Sequence, residues 1–123
     1  MKQEIENLVP DFYEWPVRWM GVEEDLEYGK RLLKQFEPFV YEIAVGKLTK
    51  KTKHKHVDNL WLAGGELIRN VSIDEEYEKD PLKLLHESFF PSGGPSCRHI
   101  ETETQISSYD STCRKFYKFL NKH

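Results

Sequence analysis

Apolar side chains recur every three or four residues along most of the chain, which is the spacing of one face of an α-helix. Four stretches show this pattern: residues 22–45, 49–71, 80–89 and 107–122. Nowhere do apolar and polar residues alternate over the length of a strand. The sequence therefore predicts an all-α fold, a compact bundle of four or five helices. The number depends on whether Pro38 divides the first stretch.

Local signals place several helix ends. Thr49 is in position to cap the second helix, Asp80 caps the third, and Gly46 is the natural end of the first. Gly64 and Gly65 fall inside the second helix, where two glycines cost about 2 kcal/mol of helix propensity. They predict the close approach of another helix or a local bend.

The first 21 residues differ from the rest of the chain. Prolines and a glycine are mixed there with large aromatic side chains, which break regular structure but supply apolar surface. Residues 1–21 are therefore predicted to form an irregular aromatic N-terminal arm, extended and packed on a single helical domain at 22–123. Within that domain Trp61 and Phe116 are expected to be buried on facing helices.

Composition narrows the class of protein. A chain of 123 residues is one domain's worth, and its aromatic content of 13% argues against disorder. No apolar run approaches the roughly 20 residues that span a bilayer, and the first residues lack the pattern of a signal peptide. Two cysteines suit free thiols in a reducing compartment. We therefore expect a cytoplasmic protein with no membrane partner.

Charge is distributed unevenly around a net value of −3. Residues 47–70 carry 6 basic and 2 acidic side chains, and five lysines and two histidines fall within residues 47–56. Cations at a helix start are unfavourable because the helix dipole is already positive there, so a phosphate would relieve the misfit. The candidate phosphate contacts in this stretch are Thr49, Lys50, Lys51, Thr52, Lys53 and Lys55. Arg114, Lys115 and Lys118 join them if the two basic segments share a face. The alternative is a solvated basic turn offset by nearby acidic side chains.

Catalytic and metal sites have little support in the sequence. Only Cys97 and His99 form a close pair of possible zinc ligands, and zinc sites present recognisable paired spacings. Cys113 lies on the apolar stripe of the last helix, as small buried hydrophobes do. We predict no catalytic residue, no metal ligand and no cofactor, and no small-molecule substrate is inferred.

Two motifs resemble the SAM-like core-binding domain at the N-terminal side of tyrosine recombinases, the phage integrases. The first is Leu48-Thr49-x-x-Thr52-x-x-x-His56-x-x-x-Leu60, and the second is Ser108-x-x-x-Thr112-x-x-x-Phe116-Tyr117-x-Phe119-Leu120. The resemblance covers roughly residues 22 to 121 and implies an orthogonal helical bundle that contacts the DNA backbone. His56 stands where the family favours tyrosine, and Gly64-Gly65 replaces an aromatic end. The catalytic set of the recombinases does not follow, so the resemblance implies no recombinase activity.

Two functions from different classes follow as hypotheses. The first is a non-catalytic module that binds double-stranded DNA, or an accessory module, contacting phosphates through the basic helix start. The second is a helical protein–protein interaction domain that docks another protein through its aromatic N-terminal arm. The overall acidity favours the second and the basic helix start favours the first. A small enzyme is a third hypothesis, for which the sequence offers no catalytic set.

Overall fold

A computed structural model describes residues 1–122, and within that range the chain forms six α-helices and no β-strand. The helices are α1 (Lys2–Leu8), α2 (Trp15–Trp19), α3 (Asp25–Val45), α4 (Lys50–Asp74), α5 (Pro81–Ser88) and α6 (Glu103–Lys122). The predicted all-α fold is confirmed. The predicted domain extends to His123, which lies outside the described residues. Over the described range no helix has both the length and the apolar character needed to cross a membrane.

All four predicted helical stretches form helices, and α3 runs without interruption through Pro38. Proline removes one backbone hydrogen bond from a helix interior. Here Pro38 lies on the exposed side of α3, while Phe36 and Phe39 on either side of it are buried. Because both flanking turns are anchored in the core, the helix continues across the missing bond and is not divided.

The predicted caps are present. The Thr52 N–H donates to Thr49 Oγ1 at 3.2 Å, which caps the start of α4. The Lys83 N–H donates to the Asp80 carboxylate at 3.2 Å at the start of α5, and Gly46 directly follows the last residue of α3. These local hydrogen bonds satisfy backbone donors that have no partner within the helix.

The start of α6 lies earlier than the Ser107 or Ser108 that the apolar pattern indicates. The Gln105 N–H donates to Thr102 Oγ1 at 3.1 Å, and the Thr102 N–H donates back to Gln105 Oε1 at 3.2 Å. This reciprocal pair is a capping box. It starts the helix at Glu103, in a stretch whose exposed side chains carry no apolar periodicity.

The N-terminal segment is not the irregular, extended arm that its prolines predict. It forms α1, a 3₁₀ turn over Phe12–Glu14 and α2. Pro16 lies in the first turn of α2, where a helix needs no N–H donor, so it supports the helix instead of breaking it. The segment does pack on the rest of the chain, as expected: Ile5, Phe12, Trp15 and Trp19 are all buried. Such short helices are stabilised by this burial and not by their own length.

Phe116 is fully buried, as predicted. Its ring contacts those of Phe36, Phe39 and Phe89 at centroid distances of 5.5, 5.0 and 4.8 Å. The prediction for Trp61 is wrong, because 38% of its surface is exposed. The neighbouring Leu60 belongs to the buried stripe of α4, and successive residues of a helix are rotated by about 100°, which carries Trp61 to the edge of that stripe.

Candidate nucleic-acid interface

Helices α4 and α6 are joined by a buried polar cluster. His56 Nδ1 and Thr112 Oγ1 share a hydrogen bond of 2.7 Å, and Asn59 Nδ2 donates to Thr112 Oγ1 at 3.0 Å. Asn59 also donates to the Ser108 carbonyl at 3.1 Å. Because these side chains are buried, their contacts fix the first turns of α4 beside the middle of α6.

This packing brings lysines of the two predicted segments to one side of the molecule. Burial, aided by the positive charges of Lys55 and Lys115, lowers the pKa of His56 to about 4. Lys55 belongs to α4 and Lys115 to α6, so cations from both helices lie near the same imidazole. His56 itself is neutral at neutral pH and adds no charge to the surface.

A groove continues this basic side toward the end of α3. Lys115 and Lys118 line it together with Lys47 and Leu48 from the turn before α4, around an open volume of about 340 Å³. Lys122 also lines the groove and is paired with Glu42 at 3.2 Å. Lys47 and Lys122 were not among the candidate contacts. Only the folded position of the turn before α4 places Lys47 next to α6, the helix that carries Lys122.

Lys50 and Lys53 lie elsewhere, which corrects the predicted grouping. The Lys53 ammonium donates to the Ala44 carbonyl at 2.7 Å and so satisfies an acceptor in the last turn of α3. Lys50 and Lys53 together line a shallow depression against α1, beside Glu4 and Asn7. The basic run of the sequence therefore divides: Lys50 and Lys53 face α1, whereas Lys51 and Lys55 are neighbours one turn apart on α4.

The two threonines predicted to contact phosphate use part of their hydrogen-bonding capacity in the cap of α4. The Thr49 hydroxyl accepts from the Thr52 N–H and donates to Thr52 Oγ1 at 3.0 Å. Its proton is thus used within the chain. The Thr52 hydroxyl proton has no acceptor among the described residues, and this group keeps a donor for an outside ligand.

The candidate cations share one electrostatic property. Within residues 1–122, no carboxylate lies within 4.0 Å of the charged group of Lys50, Lys51, Lys53, Lys55, Arg114, Lys115 or Lys118. Lys79, by contrast, lies between Glu76 and Glu87 and is paired with both. Lys34, Arg69 and Lys83 also lack an ion pair within residues 1–122, so it is the grouping of the candidate cations that sets them apart. On α6, Lys118 lies about one turn beyond both Arg114 and Lys115, and none of the three is in an ion pair within residues 1–122.

The possible metal ligands within residues 1–122 and the thiol of Cys113 bear on metal and thiol chemistry. No group of three or more histidine, cysteine, aspartate or glutamate side chains in residues 1–122 is arranged to hold a metal ion. Cys113 is buried, as expected, and burial raises the pKa of its thiol to about 12. A protonated, enclosed thiol is a packing group and not a nucleophile.

The aromatic side chains of the N-terminal segment belong to the core. Phe12, Trp15 and Trp19 are each at most 9% exposed. The half-buried Tyr13 donates its hydroxyl to Glu37 at 2.8 Å. None of the three buried rings offers a surface to a partner.

Comparisons with known proteins found no match to this chain. The chain matches no family model, no curated protein and no solved structure. The likeness to recombinase core-binding domains therefore rests on the two sequence motifs alone.

Proposed function

We propose that the protein is a non-catalytic DNA-binding or accessory module that contacts the phosphate backbone of a duplex through α4 and α6. The contact residues form what we call the α4–α6 basic surface: Lys47, Lys51, Thr52, Lys55, Arg114, Lys115 and Lys118. The observation that carries the proposal is the grouping of Lys55 with Lys115 near His56 and of Lys47 with Lys115 and Lys118 around one groove. None of these cations is in an ion pair within residues 1–122. Phosphates supply the missing negative charge.

The start of α4 adds hydrogen-bond donors to this charge. Thr49 caps the N–H of Thr52, and the N–H groups of Lys50 and Lys51 precede the first intrahelical bond. A phosphate at this end would accept from those N–H groups and from the Thr52 hydroxyl while it pairs with Lys51. Such contacts fix the register of a protein on a duplex without reading its sequence.

The sequence resemblance supports DNA over other polyanions. Its first motif spans Leu48 to Leu60, at the start of α4, and its second spans Ser108 to Leu120, on α6. These are the two helices that carry most of the α4–α6 basic surface. Charge and motif thus point to the same pair of elements.

A protein partner at the N-terminal segment is the second candidate function. It is favoured by three exposed apolar side chains around the end of α2, Val17, Met20 and Val22, which are between 40% and 57% exposed. The buried aromatic rings of this segment cannot take part without unfolding it.

Salt-dependent binding of a labelled random-sequence duplex, measured by fluorescence anisotropy, tests the DNA proposal. If about four phosphates are neutralised, log affinity falls against log salt with a slope of roughly −3 to −4, at about −0.9 per phosphate. The double variant Lys55→Glu/Lys115→Glu should bind at least tenfold more weakly and show a shallower slope.

The matched control is Lys34→Glu/Lys83→Glu, which makes the same charge change at exposed lysines on α3 and α5. It should retain most of the affinity of the parent. No binding by the parent at 50 mM salt, or equal losses in the two double variants, would refute the proposed surface and favour the protein-partner candidate.

A further inference from the structure

A cleft that the DNA proposal does not use opens beside the outer edge of α4. Its volume is about 510 Å³, and its walls include Arg18, Trp61, Gly65, Arg69 and Arg98. Small-molecule sites commonly have volumes of roughly 300–1,000 Å³ and combine apolar walls with a few placed polar groups. The dimensions and the lining of this cleft fit that description.

One wall is an aromatic ring without a partner. Trp61 is 38% exposed, and within residues 1–122 its ring stacks on no other ring and its indole N–H has no acceptor. Gly65 lies one turn further along α4, where an added Cβ would meet only Trp19, at 3.4 Å. A glycine at this position leaves the floor of the cleft beside the Trp61 ring open.

The cleft also holds arginines with unused donors. Arg69 has no hydrogen bond or ion pair from its side chain within residues 1–122. Arg98 donates through Nε to Glu66 at 3.2 Å, and Arg18 is paired through Nε with Asp11 at 3.4 Å. Both arginines therefore retain their two terminal nitrogens, the fork that recognises phosphate and carboxylate.

The carboxylates of the cleft are already engaged. Asp25 accepts from the backbone N–H groups of Gly21 and Val22 at 2.8 and 3.1 Å and from the Tyr77 hydroxyl at 2.7 Å. Glu66 is paired with Arg98 through Oε1. Because both carboxylates already have donors from the chain, while Arg69 has no partner within residues 1–122, the unused donors of the cleft favour an anionic ligand.

We propose that this cleft binds a nucleotide, with the planar base stacked on Trp61 and the phosphates held by Arg69 and Arg98. Trp61 and Arg69 are eight residues apart, which is about 12 Å along the helix axis. The flexible arginine side chain shortens that span to the length of a nucleoside mono- or diphosphate. The unpaired Arg69, together with the free terminal nitrogens of Arg18 and Arg98, offers more donors than a single carboxylate can accept, which favours a phosphate.

Isothermal titration of the full chain with adenosine diphosphate tests this proposal. Adenosine and inorganic phosphate, each of which lacks one half of the contacts, should bind at least tenfold more weakly than the diphosphate. Arg69→Gln and Trp61→Ala should each weaken binding of the diphosphate about tenfold or more, whereas Trp61→Phe keeps a stacking ring and should stay within about threefold of the parent.

Arg114→Gln is the matched control, since it removes an exposed arginine from the α4–α6 basic surface. It should weaken duplex binding and leave binding of the diphosphate unchanged, and Arg69→Gln should do the reverse. The two proposals therefore fail independently. The cleft proposal is overturned if the diphosphate gives no heat at millimolar concentration, if inorganic phosphate binds equally well, or if Arg114→Gln has the larger effect.

Discussion

The indole of Trp19 lies directly on Gly64, and its N–H donates to the Trp61 carbonyl at 3.0 Å. The two glycines of α4 thus receive the ring of a residue from α2. A Cβ built on Gly64 would lie less than 3.0 Å from three atoms of that ring, whereas one on Gly65 would approach it no closer than 3.4 Å. The ring of Trp19 therefore requires a glycine at position 64 but leaves room for a methyl group at position 65.

We expect Gly64→Ala to destabilise the fold and Gly65→Ala to leave it unchanged or slightly more stable. Overpacking against Trp19 should cost about 1–3 kcal/mol, more than the roughly 1 kcal/mol that alanine adds in helix propensity. At Gly65 an added methyl group makes only an ordinary contact with Trp19, so the gain in helix propensity is not offset by overpacking. Urea unfolding of both variants measures the difference, and equal stabilities would mean that Trp19 does not pack on Gly64 in solution.

Burial separates two aromatic residues that the sequence pattern treats alike. Phe116→Ala removes a fully buried ring from among Phe36, Phe39 and Phe89 and should cost about 3–5 kcal/mol. Trp61→Ala removes a ring that is 38% exposed and should therefore cost less than Phe116→Ala. Thermal or urea unfolding measures both values. A larger loss for Trp61 would contradict the orientation of α4.

Helical periodicity and capping residues were sufficient to predict α3, α4 and α5 and most of α6. The signals are local: Thr49 and Asp80 provide side-chain acceptors at the starts of α4 and α5, and apolar residues mark the buried faces. The capping box of Thr102 and Gln105 is equally local and would have placed the start of α6 correctly.

The N-terminal segment and the grouping of lysines could not be predicted in this way. Helices as short as α1 and α2 depend on tertiary burial of residues such as Trp15 and Trp19, which no short-range pattern contains. Likewise, the run of lysines before and within α4 gives no sign that Lys53 reaches the Ala44 carbonyl. That contact depends on how α3 and α4 pack. The division of the basic run into two groups was therefore not predictable, and the assignment of these residues to a phosphate site stays a prediction.

His56 should make stability depend on pH. Its folded-state pKa is about 4 against 6.5 for an exposed histidine, so the unfolded chain binds more protons between these values. The contribution of His56 to the free energy of unfolding is therefore largest above pH 6.5 and is lost as pH falls toward 4. At pH 5 the loss is about 2 kcal/mol.

The His56→Gln variant keeps a polar side chain facing Thr112 but cannot titrate. Urea unfolding of the parent and of this variant at pH 7.5 and pH 5 isolates the contribution of His56. Between pH 7.5 and pH 5, the free energy of unfolding of the variant should fall by about 2 kcal/mol less than that of the parent. Parallel declines in both proteins would show that the imidazole is accessible to solvent when folded.

The last prediction separates two lysines of α4 that are only two positions apart. Lys51→Glu places an anion in the first turn of a helix and should stabilise the free protein by about 0.3–1 kcal/mol at low salt. Lys53→Glu makes the same charge change but removes the hydrogen bond to the Ala44 carbonyl, whose loss costs about 1 kcal/mol and offsets any gain. In 20 mM salt the free energy of unfolding of Lys51→Glu should therefore exceed that of the parent, and that of Lys53→Glu should equal it or be lower.

In duplex binding only Lys51→Glu should weaken affinity strongly, because Lys53 is turned toward α1. Lys51→Glu should therefore be more stable than the parent but bind the duplex more weakly, as expected for a cation that contacts a ligand. If Lys53→Glu binds more weakly than Lys51→Glu, the DNA contact lies instead on the side of α4 that faces α1.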